Sequence, residues 1–301
     1  MKHKAFNKPL VSICIPTYQG ERYLAEAIAS ALAQTYPAIE IVVSDDTSTD
    51  GTLQLVEQYQ QQTAIPITIH HHTPKGIGAN WNNCIQKAKG IYIKFLFQDD
   101  VLLPTCIEEM VNLLEKDKAI GLVASKRTFM IADNHHSPEL AQWIKTYGNL
   151  QAHLKLPLVN GVRYLTKRLF SSPLFLQSPL NKIGEPPVTL FKKELVYKIG
   201  FFREDLMQIL DYEFYYRVLK KYKIAIIEEP LVKFRLHPNQ ATNKNKGKEQ
   251  SDYNLYDKII YKEYFWLLNN KKRVELFKRY NKAWNLLFRV KRKLQKLLWN
   301  N

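Results

Sequence analysis

Between Leu10 and Phe97 short apolar runs alternate with amphipathic segments, and that alternation restricts the chain to a largely parallel sheet with helices packed on its faces. Leu10 to Ile15 reads as a buried strand. It stops at Pro16, which brings no amide donor to a ladder, and Thr17 to Gly20 form the loop that follows. From Glu21 to Thr35 the apolar Leu24, Ala27, Ile28, Ala31 and Leu32 share one helical face. Glu40 to Ser44 is the next strand, and the polar cluster Asp45 to Thr52 supplies a loop and caps for a helix over about Leu53 to Gln61. Ile67 to His70 is a third strand, Ile77, Trp81, Cys84, Ile85 and Ala88 mark a helix closed by Gly90, and Tyr92 to Phe97 is a fourth strand. Right-handed crossovers through those helices make the strands parallel.

Parallel strands present their carboxyl ends on one edge, which is where open α/β sheets bind ligands. Two of the loops on that edge carry paired acids, Asp45-Asp46 and Asp99-Asp100. An isolated Asp-Asp is also an ordinary solvated turn, but two pairs on one edge can face a single ligand. Oxygen-rich sites of this kind suit Mg2+ or Mn2+, with substrate phosphates completing the shell. No GxGxxG or GxxxxGK[ST] fingerprint follows the first strand, which disfavours a dinucleotide site or a P-loop.

The pattern continues with a helix over Thr105 to Lys116 and a strand from Ile120 to Ser125, then loses periodicity from Arg127 to Leu180. A long irregular insertion of that sort commonly serves as a lid or specificity region. The stretch from Asn181 to Pro187 reads as a rigid loop before a strand from Val188 to Phe191. Asp211 opens a helix with Phe214, Tyr215, Val218 and Tyr222 on one face, where it serves either as a cap or as a projecting carboxylate. Ile224 to Ile227 reads as a strand that leads through Pro230 to Leu231–Gln240, and His237 stands at its end, placed to offer an imidazole to a metal.

The run VSICIPTY, the strand ending in DDTSTDGT, the segment FQDD, the Asp211 helix and the segment FRLHPNQ together resemble family 2 glycosyltransferases of the GT-A fold. The resemblance covers roughly 9–240. It implies a nucleotide-binding half over about 9–125 and an acceptor half over about 126–240. By position it implies that Pro16, Thr17 and Tyr18 line a nucleoside pocket and that Asp46 accepts from the base, uracil N3–H being the best match. Asp99 would lie near the ribose or donor sugar, Asp100 would hold a divalent ion, Mn2+ or Mg2+, and His237 would sit near that ion and the diphosphate. Asp211 matches the catalytic base of an inverting displacement, and Lys75 is either a phosphate or base contact or a solvated loop lysine. Two positions depart from the usual pattern: Gln98 replaces the first acid of the metal motif, and Leu210 replaces the acid before the base.

The implied activity is transfer of a sugar from a nucleotide sugar, most plausibly UDP-linked, to a saccharide or lipid-linked acceptor in cell-surface polysaccharide synthesis. A sugar nucleotidyltransferase is the second enzyme class, though Pro16 to Gly20 lacks its glycine-rich loop. The formal net charge of +16 brings in a third class, a basic nucleic-acid binder. Its distribution argues otherwise. Ser251 to Asn301 carries 13 Lys/Arg against 4 Asp/Glu, and Phe277, Tyr280, Trp284, Leu287, Val290, Leu294 and Leu297 form a helical stripe within that extension, 251–301. The expectation is a helix over 277–297 lying on anionic membrane, with packing against protein as the alternative, and no nucleic acid partner. Three scattered cysteines without a CxxC pair and the absence of a signal-like or spanning segment point to a cytoplasmic chain, peripheral on the inner face of the plasma membrane.

Overall fold

The computed structural model describes residues 8–132, 136–240, 249–281 and 283–284. Its first half is a parallel sheet. Strands β1 (Val11–Thr17), β2 (Ile39–Asp45), β3 (Ile67–His71) and β4 (Tyr92–Phe95) lie in the order β3-β2-β1-β4, and every pairing among them is parallel. Each is joined to the next by a helix: α1 (Glu21–Leu32), α2 (Thr52–Gln62) and α3 (Ile77–Lys87). β1 and β2 are central and covered on both faces, which is why they read as continuous apolar runs rather than alternating ones. Leu24 and Ile28 of α1 and Val56 of α2 are fully buried in the core shared with the sheet, each contributing about 1.5–3 kcal/mol of hydrophobic free energy. Gly90 is required where α3 returns to the sheet, because a Cβ there would stand 2.6 Å from the amide nitrogen of Ser12.

Beyond β4 the sheet becomes mixed. After the two-residue β5 (Val101–Leu102) and helix α4 (Cys106–Lys116), β6 (Ile120–Ile131) runs six residues past the predicted strand end. The insertion that follows contains α5 (Pro138–Tyr147), a 3-10 turn at Ala152–Leu154, β7 (Val162–Leu165) and a second 3-10 turn at Lys167–Ser171. β8 (Thr189–Lys192) then inserts between β4 and β6, antiparallel to both. Helices α6 (Leu195–Ile199) and α7 (Leu210–Lys221) lead to β9 (Lys223–Leu236), a single strand in which Pro230 sits at a register shift opposite Lys126. The predicted break at Pro230 is therefore a bulge, which is where a sheet tolerates a missing donor.

The direction of β8 matters for everything that follows. An antiparallel strand shows its preceding loop on the edge where its neighbours show their following loops. The segment before Thr189 thus joins the loops after β1, β2, β3 and β4. Because α7 returns antiparallel to β9, its N-terminus and the end of β9 reach the same edge.

Helices α8 (Glu249–Ile259) and α9 (Asn270–Tyr280) are joined by a π-turn at Ile260–Tyr264 and a 3-10 turn at Phe265–Leu267. Tyr256, Ile260, Tyr264 and Leu276 are buried in the common core, with Tyr264 packed on Phe170 and Phe175. The expected continuous helix over 277–297 is interrupted: α9 ends at Tyr280, and Asn281 turns to ψ 109° while its Oδ1 accepts the Trp284 amide at 3.0 Å. Asparagine caps helices more readily than it continues them, which accounts for the break. The rest of that stripe, from Leu287 to Leu297, lies outside the described residues.

Candidate active site

Pro16 and Thr17 end β1, and the register of the sheet sets Thr17 beside Asp45 on β2. The two acids of that first pair have separate tasks. Asp45 is fully buried: its Oδ1 accepts from Thr17 Oγ1 at 2.7 Å and Ser48 Oγ at 2.6 Å, and its Oδ2 from the Ser48 amide at 2.7 Å. It builds the loop. Asp46 instead turns toward His72, just past β3, and its Oδ1 meets His72 Nδ1 in a short contact. Burial raises the Asp46 pKa, with the His72 contact working against that shift.

The loop after β4 is joined to the loop after β1. Gln98 Oε1 accepts the Tyr18 amide at 2.9 Å, while Gln98 Nε2 donates to the Tyr18 carbonyl at 3.1 Å. The residue that replaces the usual acid thus ties together the segments bearing Tyr18 and Asp99. The Tyr18 side chain is half exposed.

The resemblance gives the ion to Asp100 with His237 near it, and in the fold the His237 ring lies against Asp99. Asp99 Oδ2 lies 2.9 Å from His237 Nε2, and both side chains retain access to solvent. Asp100 is 1% exposed, its Oδ1 accepts the Arg235 amide of β9 at 2.9 Å, and its Oδ2 has no hydrogen-bond partner. Burial, then the neighbouring Asp99 charge, pushes its pKa well above the carboxylate range. Arg235 secures the turn by donating from Nε to the Asp99 carbonyl at 2.8 Å and from Nη2 to Glu26 of α1 at 2.8 Å, its guanidinium lying over Tyr23. The Tyr23 ring also packs against His237, 5.2 Å between centroids.

Asp211 occupies the first turn of α7, 9% exposed. Its Oδ1 accepts the Tyr212 amide at 2.7 Å and its Oδ2 accepts Asn181 Nδ2 at 2.9 Å. Desolvation raises its pKa to about 8, and the carboxylate of Glu185 adds to the rise. Glu185 is itself paired with Arg127 at 2.7 Å. Lys75, the remaining predicted contact, is exposed in the loop before α3, beside Gly76, whose φ of 100° sets the turn into that helix.

The edge therefore gathers Thr17, Tyr18, Asp46, Asp99, Asp211 and His237 and adds His72, Gln98, Asn181 and Glu185. His72 carried one signal in the sequence, its place directly after a strand on the ligand edge. Asn181 and Glu185 carried none, because nothing local marks β8 as antiparallel. Among the described residues no three or more His, Cys, Asp or Glu side chains cluster tightly enough to hold a metal by themselves. Asp99 with His237 is a two-ligand set of oxygen and nitrogen, which fits a divalent ion whose remaining positions are filled by a ligand's phosphates and water.

Residues 12–176 match the family model described as glycosyl transferase family 2. The chain belongs to this family. An uncharacterized glycosyltransferase of Rickettsia typhi is 32% identical over 244 residues, spanning 81% of this chain and 69% of the relative. One from Methanocaldococcus jannaschii is 29% identical over 253 residues, 83% of this chain and 78% of the relative. Solved structures share the fold of this family 2 chain. S. aureus TarS 1–349 in complex with UDP-GlcNAc superposes with a TM-score of 0.63 at 19% identity, covering 83% of this chain and 65% of TarS 1–349. The mannosyltransferase PcManGT from Pyrobaculum calidifontis, in complex with GDP-Man and Mn2+, gives 0.57 at 16% identity over 96% and 81%. The chain is thus a glycosyltransferase with a GT-A-like fold, a central mixed sheet flanked by helices.

Proposed function

We propose that this glycosyltransferase inverts the anomeric centre of a UDP-linked sugar as it passes the sugar to a hydroxyl of a saccharide or lipid-linked acceptor in surface polysaccharide synthesis. The observation that carries this reading is the convergence, on one sheet edge, of a carboxylate for the base, a carboxylate–imidazole pair for the diphosphate and a desolvated carboxylate for the acceptor. TarS in its complex with UDP-GlcNAc supports a uridine donor, and PcManGT with Mn2+ supports a metal.

On this reading Thr17 and Tyr18 flank the nucleoside and Asp46 accepts from the base, while Asp99 and His237 would hold Mn2+ or Mg2+ against the diphosphate. A divalent cation bound there offsets the negative charge that grows on the leaving phosphate. Asp100 keeps the turn docked on β9 rather than ligating. Asp211 takes the proton of the acceptor hydroxyl as its oxygen bonds to the anomeric carbon. The electron pair of the breaking C–O bond leaves with the diphosphate, and the sugar inverts in one step. Glu185 and Asn181 border the base from the acceptor side.

Calorimetric titration with UDP, GDP, CDP and dTDP, each with Mn2+ and with chelator, tests the donor site. Metal-dependent binding of UDP alone is expected. Asp99→Ala should abolish the metal dependence, whereas Asp100→Asn should bind UDP with Mn2+ as the parent does. Metal-dependent binding that survived Asp99→Ala and failed in Asp100→Asn would return the ion to Asp100.

The described part of the basic extension also favours a surface role. Phe265, Val274, Phe277 and Trp284 line one apolar surface groove with Lys278 at its edge. Trp266, 82% exposed, packs its ring edge-on against Phe265, while Lys271 is exposed on the same helix as Val274. Aromatic side chains rimmed by lysine suit the headgroup layer of an anionic membrane. No described helix is long and apolar enough to cross one.

A further inference from the structure

The segment 180–188 approaches β8 from the ligand edge and is anchored on four sides. The Tyr216 hydroxyl of α7 donates to the Leu180 carbonyl, and Gln151 Nε2 donates to the Lys182 carbonyl at 2.7 Å. Arg127 of β6 holds the Glu185 carboxylate, and the fully buried Lys94 ammonium of β4 donates to the Pro187 carbonyl. Inside this frame Asn181 Oδ1 accepts the amides of Ile183 and Gly184, both at 2.9 Å, and Asn181 Nδ2 donates to the Gly184 carbonyl at 3.0 Å. Those three bonds decide which end of the side-chain amide is oxygen. The second N–H of Nδ2 is then aimed at Asp211 Oδ2.

We propose that Asn181 is the positioning residue of the catalytic base, fixing the rotation of the Asp211 carboxylate so that its free lone pairs face the acceptor hydroxyl. The inference rests on Asp211 being that base. Asp211 has one other partner among the described hydrogen bonds, the amide of its own neighbour Tyr212, and that bond alone leaves the carboxylate a hinge to turn about. Because Asn181 is held by its own loop, and the loop by four other elements, the orientation exists before any acceptor arrives. Preset geometry of this kind removes reorganisation from the reacting complex.

The hydrogen bond also bears on charge. A donor N–H favours the ionised carboxylate. The backbone amides of Tyr212 and of Asp211 itself act in the same sense; among the side chains facing Asp211, the Glu185 carboxylate raises its pKa, and Tyr212, Tyr215 and Tyr216 are phenols kept neutral by burial. Arg127 offsets Glu185 from the far side of its ion pair. Asn181 is thus the one described side chain that donates directly to the base.

Asn181→Asp tests this, since it keeps the oxygen that accepts the two loop amides and loses the donor. The expected result is a kcat about 10- to 100-fold lower, UDP affinity unchanged, and the acidic limb of the kcat–pH profile displaced upward by about one unit. Parent kcat with an unmoved limb would overturn the proposal, as would a loss of kcat equal at every pH, the mark of a purely structural residue. The limb position does not depend on how much enzyme is folded, so it reads the proposal even in a weakened variant, and Asn181→Ala repeats it without a new charge. Asp211→Asn separates the two readings: full turnover in that variant would remove the base itself. An inactive Asp211→Asn beside a parent-like Asn181→Asp would remove only the positioning role.

Discussion

Desolvation gives Asp211 two opposed effects, one on rate and one on stability. As the proposed base it must be ionised, and with a pKa near 8 its ionised fraction grows as pH rises through that value. Asp211→Asn should lower kcat by about 10²- to 10⁴-fold while leaving UDP binding intact, measured by initial rates and calorimetry. Stability runs the other way. The folded-state pKa stands above the 3.8 of a free aspartate, so the folded form binds the proton more tightly. The associated stability is complete below pH about 4 and is lost as pH rises to about 8. Asn carries no such charge, so the melting temperature of Asp211→Asn relative to the parent should climb across that window, and a constant difference would contradict the raised pKa. Asp46, Asp99 and Asp211 were legible in the sequence because acids at strand ends and helix starts stand out from apolar runs. The resemblance singled out Asp46 over Asp45, but the setting of each acid was not legible. It depends on partners such as Ser48, His72, Arg235 and His237, most of them distant in sequence, and a short polar side chain in a loop gives no sign of which it will meet.

At the level of elements the βα alternation was readable up to α4, since periods of two and 3.6 are local properties. After α4 the strands beginning near Ile120, Val188 and Ile224 and the Asp211 helix were readable too, but not the direction of β8 or the long parallel pairing of β6 with β9, which are decided by contacts roughly 70 to 100 residues apart. Reading β8 correctly would have put the 180–188 segment on the ligand edge at once. The Gln98 clamp belongs to this scale too, joining two loops whose strands are parallel neighbours. Gln98→Leu removes both bonds and keeps most of the volume. Its expected effect is a UDP dissociation constant about tenfold higher, from two lost hydrogen bonds of roughly 0.5–1.5 kcal/mol each, with the Mn2+ requirement retained. Unchanged affinity by calorimetry would show that the two loops keep their places without the clamp.

For the whole molecule, charge and apolar exposure coincide in the C-terminal part. Composition showed the excess of base, but the sequence stripe implied one long helix where the fold has a break at Asn281. The described face also draws on residues the stripe omitted, because the turn between α8 and α9 brings Phe265 beside Val274, Phe277 and Trp284, with Trp266 packed against Phe265. Sedimentation with vesicles of neutral and of anionic lipid should show retention on the anionic ones that salt weakens. Trp266→Ser with Lys271→Glu should release the protein by at least tenfold, since each basic residue at the surface adds ~1 kcal/mol. Equal retention of parent and variant would place any membrane contact elsewhere. The Gln98–Tyr18 clamp has one more implication. It joins the strand end proposed to carry the nucleoside to the turn that carries Asp99, so the reach from one to the other is set by bonded backbone and not by the guest. On the proposed reading the cleft works as a fixed gauge that sorts nucleotides by the length of their phosphate chain before it reads their charge.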